Sequence, residues 1–212
     1  YNKNVYYVSN LANYDIIKKL KSNIKIKNKN TKIIIGYLGS DPQHINYFNM
    51  IKEVIKKILI EYSMDVELHL INIQSELIYE LNNVKYYPPK SSLKEFYKFM
   101  IKQRWDIGLA PLADTEFNRC KTDNKYREYA ALGIAGIYSN VKPYKNSVIN
   151  NITGILVDNH AVLWYEAIKD LIENSDKRLK IIEESYKDIR ERYSLEKYAE
   201  NYYNVFKKVM EE

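Results

Sequence analysis

Apolar residues along this chain fall into two alternating kinds of run. The first kind is short and β-branched. Lys32–Leu38 (KIIIGYL), Val66–Asn72 (VELHLIN) and Asp106–Pro111 (DIGLAP) have the unbroken apolar character of strands buried on both faces, and Val84–Tyr87, Ile134–Val141 and Gly154–Val157 complete a set of six. The second kind repeats every three or four residues. Phe48, Ile51, Ile55 and Ile58 line one face of a helix predicted over His44–Tyr62. Further helices are predicted at Ser75–Leu81, Leu93–Gln103 (capped by Ser91-Ser92) and Asn124–Leu132, which stops at Gly133. Three more helices close the chain at about 160–173, 176–192 and 195–211. The last is amphipathic through Leu195, Tyr198, Tyr202, Phe206, Val209 and Met210. Residues 1–30 read as irregular, with a short strand at Val5–Val8 and a polar linker at 21–30; residues 112–123 read as a polar loop.

Strands alternating with helices predict an α/β fold, a Rossmann-like doubly wound parallel sheet of about six strands flanked by helices. Such sheets take ligands beyond the carboxyl ends of their strands. The loops after Leu38, Pro111 and Val141 are therefore the places to look for chemistry.

The chain has 212 residues, enough for one full domain. It opens on Tyr1, as a piece of a longer protein would. No run approaches the roughly 18 apolar residues of a membrane span, and no signal peptide is visible. A cytoplasmic location is the expectation, with peripheral membrane attachment of the full protein left open. Cys120 is the single cysteine, which excludes an internal disulfide. The net charge is +6, but the lysines are spread over solvated helix faces, and there is no aromatic–basic stripe, so no nucleic-acid partner is expected. His44, His69 and His160 lie far apart in sequence and lack metal-ligand spacing, so neither a metal nor a bound cofactor is expected.

Phe117–Gly133 (FNRCKTDNKYREYAALG) is the most informative segment. A helix beginning near Asp123 offers unpaired N–H groups and the positive end of its dipole, which favours an anion. Arg119, Lys121 and Lys125 lie close by, and Glu128 falls one turn deeper, three residues from Lys125 and on its face. This order suits a nucleotide diphosphate, with a carboxylate placed for the ribose hydroxyls. A solvated, charged helix start has the same spacing. The loop GYLGSDPQH has Gly39 and Ser40, which let backbone approach a phosphate, and His44, placed to donate to phosphate or lie beside a sugar. It matches neither GxGxxG nor a P-loop.

Together, IIIGYLGSDPQHINYF (33–48), the block from Trp105 to Tyr144, and TGILVDNHAVLWYEAI (153–168) resemble the C-terminal, donor-binding domain of GT-B glycosyltransferases of the bacterial group 1 type. The resemblance spans about residues 31–194. It implies two Rossmann-like domains facing across a cleft. Residues 1–30 would be the tail of a preceding acceptor-binding N-terminal domain plus linker, and 195–212 a helix packing back on that missing domain. It also implies a nucleoside diphosphate sugar of UDP or GDP type as substrate, a hydroxyl acceptor, and a role in bacterial cell-surface polysaccharide or glycan synthesis.

The family's E-x7-E motif maps its second glutamate, the ribose ligand, onto Glu128, and its first onto Cys120. Asp41-Pro42-Gln43-His44 stands where the family has an Arg…Lys-Gly pair, and Ala135 replaces a common proline. A subgroup pattern FN-x-x-K-x-x-x-K-x-x-E fits Phe117, Asn118, Lys121, Lys125 and Glu128. The implied donor site is Gly39, Ser40, His44, Asn118, Lys121, Asp123, Lys125 and Glu128, with Tyr87 beside the base and Lys121 and His44 as candidate catalytic groups. The rival reading is a degenerate transferase-like domain acting as an interaction module.

Overall fold

A computed structural model describes residues 5–6, 8, 11–12, 14–23, 32–39 and 42–211. Its centre is a sheet of six parallel strands: β1 (Ile33–Leu38), β2 (Val66–Ile71), β3 (Val84–Tyr87), β4 (Ile107–Ala110), β5 (Ala135–Ser139) and β6 (Ile155–Val157). The order is β3-β2-β1-β4-β5-β6, so the chain runs outward in one direction from β1, then returns to start again at β4.

The helices are α1 (Tyr14–Asn23), α2 (His44–Asn49), α3 (Lys52–Glu61), α4 (Leu77–Glu80), α5 (Leu93–Gln103), α6 (Glu116–Arg119), α7 (Asn124–Leu132), α8 (Tyr144–Ser147), α9 (Ala161–Glu173), α10 (Ser175–Arg192) and α11 (Leu195–Glu211). Most sequence-predicted elements are present within a residue or two. Three differ. Residues 14–23, expected to be irregular, form α1, in which Tyr14, Ile17 and Leu20 share a face and pack into the same core cluster as α5 and α7. The single helix expected over His44–Tyr62 is broken at Met50–Ile51, where Ile51 adopts φ −120° and ψ 1°. The loop 112–123 carries the short helix α6. Of the strand expected at Val5–Val8, Val5, Tyr6 and Val8 are in no regular structure, and Tyr7 lies outside the described residues.

Alternation along the strands builds two cores. Ile35, Tyr37, Leu68, Leu70, Ile107, Leu109 and Ile137 face α3 and α9. Ile34, Ile71, Ala110 and Tyr138 face α1, α5, α7 and the end of α10. This period of two is what a doubly covered sheet requires. On the second face three glycines stand in register across β1, β4 and β5: Gly36 beside Gly108, Gly108 beside Gly136. A Cβ on Gly36 would lie 2.0 Å from the Trp105 ring, and one on Gly108 2.6 Å from the Tyr129 ring. The bare backbone is thus a trough for aromatic rings. Tyr129 lies in it and donates its hydroxyl to the Leu109 carbonyl at 2.9 Å, which holds α7 close against the sheet. The N-terminus of α7 consequently reaches the carboxyl ends of β1 and β4.

Candidate functional site

Between β1 and β4 the strand order reverses. The loops leaving these strands part there and open a crevice. A cavity of about 560 Å³ occupies it, within the usual range for small-molecule sites. Gly39 and His44 come from the β1 side, Lys121, Lys125 and Glu128 from the segment after β4, Lys90 from the β3–α5 connection and Phe96 from α5.

The crevice is stapled across its floor. The Tyr47 hydroxyl, on α2, donates to Asn118 Oδ1 at 2.8 Å, and Asn118 Nδ2 donates to the Ala113 carbonyl at 2.8 Å. Lys121 Nζ reaches the same tyrosine oxygen at 3.3 Å and lies over the Tyr47 and Phe117 rings. Asn118, almost wholly buried, thus joins the two walls and is not among the cavity-lining residues. The loop after β4 is held from above as well: Ser139 Oγ accepts from the Leu112 N–H at 2.8 Å, and Asn159 Nδ2 donates to the Leu112 carbonyl at 2.9 Å.

α7 begins at Asn124, with Asp123 as its N-cap. The Asp123 side chain does not cap the helix and does not line the cavity. Its Oδ1 accepts from Arg127 Nε at 2.9 Å and its Oδ2 from the Tyr193 hydroxyl at 2.8 Å, all three groups being buried. Arg127 also donates to the Leu11 carbonyl at 2.8 Å. This cluster fastens the start of α7 to the end of α10. Asn124 and Lys125, in the first turn of α7, line the cavity, where the helix end favours an anion. Lys125 Nζ lies 5.3 Å from the centre of the Tyr37 ring.

Glu128 faces the cavity one turn deeper. Burial raises its carboxyl above the usual range. Lys125, Arg127 and a hydrogen bond with Tyr97 draw it back only in part. His44 is buried, its ring edge-on to Tyr47. Gly39 is tightly boxed: a Cβ there would lie 2.4 Å from Ile73 Cδ1, and its carbonyl accepts from Asn72 Nδ2 at 3.3 Å.

Among the sequence-derived candidates, Gly39, His44, Lys121, Lys125 and Glu128 meet in one cavity. Asn118 and Asp123 brace it from outside. Tyr87 lies apart, its ring packed between His69 and Phe99. Ser40 is outside the described residues. Sequence reasoning missed Lys90, Asn72 and Phe96. The Ser92 cap of α5, which accepts from the Glu95 N–H at 3.3 Å, was the available signal for a third wall. Among the described residues, no group of three or more His, Cys, Asp and Glu is placed to hold a metal ion, and no helix is long and apolar enough to cross a membrane.

No family model matches the sequence, and a search of curated proteins by sequence gives no match. Solved structures do match. A glycosyltransferase from Rickettsia africae superposes with a TM-score of 0.69 at 18% identity, covering 96% of this chain and 56% of that one. The C-terminal domain of a glycosyl transferase group 1 protein (LpcC) from Francisella tularensis gives 0.60 at 15% identity, covering 89% of this chain and 96% of that domain. This chain has the fold of a GT-B glycosyltransferase C-terminal domain. Anabaena Alr3699/HepE, solved with UDP and glucose, gives 0.61 at 14% identity, covering 92% of this chain and 52% of that one. The chain therefore spans just over half the length of the Rickettsia and Anabaena proteins and nearly all of the isolated GT-B domain.

Proposed function

We propose that this chain is the donor-binding domain of a glycosyltransferase and holds a nucleoside diphosphate sugar of UDP or GDP type. The observation that carries the reading is the meeting of Lys121, Lys125, the start of α7 and Glu128 in one cavity at the switch point. The lysines and the helix end receive the diphosphate, and Glu128 accepts from the ribose hydroxyls. In transfer, the bond from the sugar's anomeric carbon to the diphosphate oxygen breaks. A bond from that carbon to an acceptor hydroxyl forms, and the hydroxyl loses its proton. The diphosphate leaves with added negative charge, and cations already aimed at it lower the barrier. The acceptor-binding surface belongs to a second domain facing this one, as does the base that takes the proton if the anomeric configuration is inverted. A role in bacterial cell-surface polysaccharide or glycan synthesis fits this reading.

Titration calorimetry with UDP and GDP tests it. One of them binds with a Kd between about 1 μM and 1 mM. Glu128→Ala weakens that binding by about 1.5–3 kcal/mol, the value of a hydrogen bond to a charged group. Unchanged affinity in the variant refutes the ribose assignment. Binding of neither nucleotide leaves the interaction-module reading in its place.

A further inference from the structure

A second cavity, of about 680 Å³, opens on the other side of the 119–123 segment. Its walls are that segment, the turn after β5 and the end of α10, so it lies at the same end of the sheet as the first. Lys121 lines both cavities, and nothing wider than this segment separates them. The second cavity is electropositive. Arg119, Lys121, Lys142 and Arg192 line it against one carboxylate, Asp123. That carboxylate is already bonded on both oxygens by Arg127 and Tyr193. Arg119 and Arg192 are paired with Asp114 and Asp188, neither of which lines the cavity. Among the described residues, Lys121 and Lys142 therefore leave two positive charges without a carboxylate partner. The neutral polar groups of Asn146 and Ser147 complete the wall.

Resting on the donor-site reading, we infer that this second cavity receives an anionic group, a carboxylate or a phosphoryl, borne by one of the two substrates next to the reacting sugar. A molecule that spans from the diphosphate past Lys121 enters the second cavity directly. A neutral sugar recovers no charge–charge energy from the two unpaired lysines there. An acidic group recovers the Coulomb energy in a recess only partly screened by solvent. The group can come from an acidic sugar on the donor or from a phosphorylated acceptor.

Two arms on the whole 212-residue chain separate these sources. In the first, calorimetry compares UDP-glucuronate with UDP-glucose. An acidic donor sugar gives at least fivefold tighter binding of the glucuronate, and the ratio returns to about one in the double variant Arg119→Ala/Lys142→Ala. In the second, nitrogen-15 spectra follow sn-glycerol 3-phosphate against glycerol without nucleotide. A phosphorylated acceptor gives saturable shifts at the amides of Lys142 and residues 144–147, lost in the same variant. Either result supports the inference. It is overturned if UDP-glucuronate binds no tighter than UDP-glucose and glycerol phosphate shifts nothing, or if the effects survive in the double variant. Failure of both the UDP compounds and GDP to bind counts against the donor-site reading, while the glycerol phosphate arm still reads the second cavity by itself.

Discussion

Glu128 combines two opposed demands. Burial favours its neutral form and lifts its carboxyl above the usual range. A ribose-binding role needs the ionised form, which accepts through both oxygens. The sign of each pH effect follows. Between the unfolded and folded values the native state binds more protons, so this group's contribution to stability falls as pH rises through that window. Donor affinity runs the other way, rising as the carboxylate forms. Affinity for a nucleoside diphosphate sugar, whose diphosphate does not titrate there, is expected to weaken on acidification just above the ordinary carboxylate range. Glu128→Gln removes that dependence. A calorimetric pH series with UDP-glucose or GDP-glucose checks both. At this scale the lysines and Glu128 were legible from spacing, because i and i+3 positions of a helix share a face. The role of Asp123 was not. Its partners, Arg127 and Tyr193, include a residue 70 positions away, and no local pattern reports such a contact.

Elements place these residues, and α7 is placed by what lies beneath it. Tyr129 fits on Gly108 because the strand there has no side chain. Gly108→Ala would put a methyl group 2.6 Å from that ring and lift α7 away from the sheet. The expected result is a loss of about 1–3 kcal/mol in urea unfolding, as for other overpacked cores. Weakened nucleotide binding should accompany it, because Lys125 and Glu128 ride on the same helix. Loss of stability with unchanged affinity would separate the packing of α7 from the site. Helix and strand identities were readable because each buried face repeats at its own period. The helix α1 was not: it is short and lysine-rich, and its apolar Tyr14, Ile17 and Leu20 become a core face only when α5 and α7 are there to receive them. Its Lys21 donates to the Ala131 and Leu132 carbonyls at 3.2 and 3.0 Å, capping the far end of α7.

For the whole molecule, α11 stands apart. None of its side chains is buried, and Tyr203, Phe206 and Met210 are exposed. The two cores are complete without it. Truncation after Ser194 is therefore expected to leave the melting temperature within a few degrees and nucleotide affinity within about twofold. A collapse of either would assign α11 a part in this domain's own stability. Composition, alternation and turn residues determined the layered α/β fold, since strand and helix periods are local properties of the chain. They also marked the segment after β4 as the place suited to an anion, because capping and charge are local too. Tertiary structure alone decided the strand order, and with it where the crevice opens. It alone tied Asn118 and Asp123 into buried hydrogen bonds, packed Tyr87 between His69 and Phe99, and set Lys121 between two cavities. Those outcomes depend on groups distant in sequence meeting in space, which no periodicity along one chain encodes.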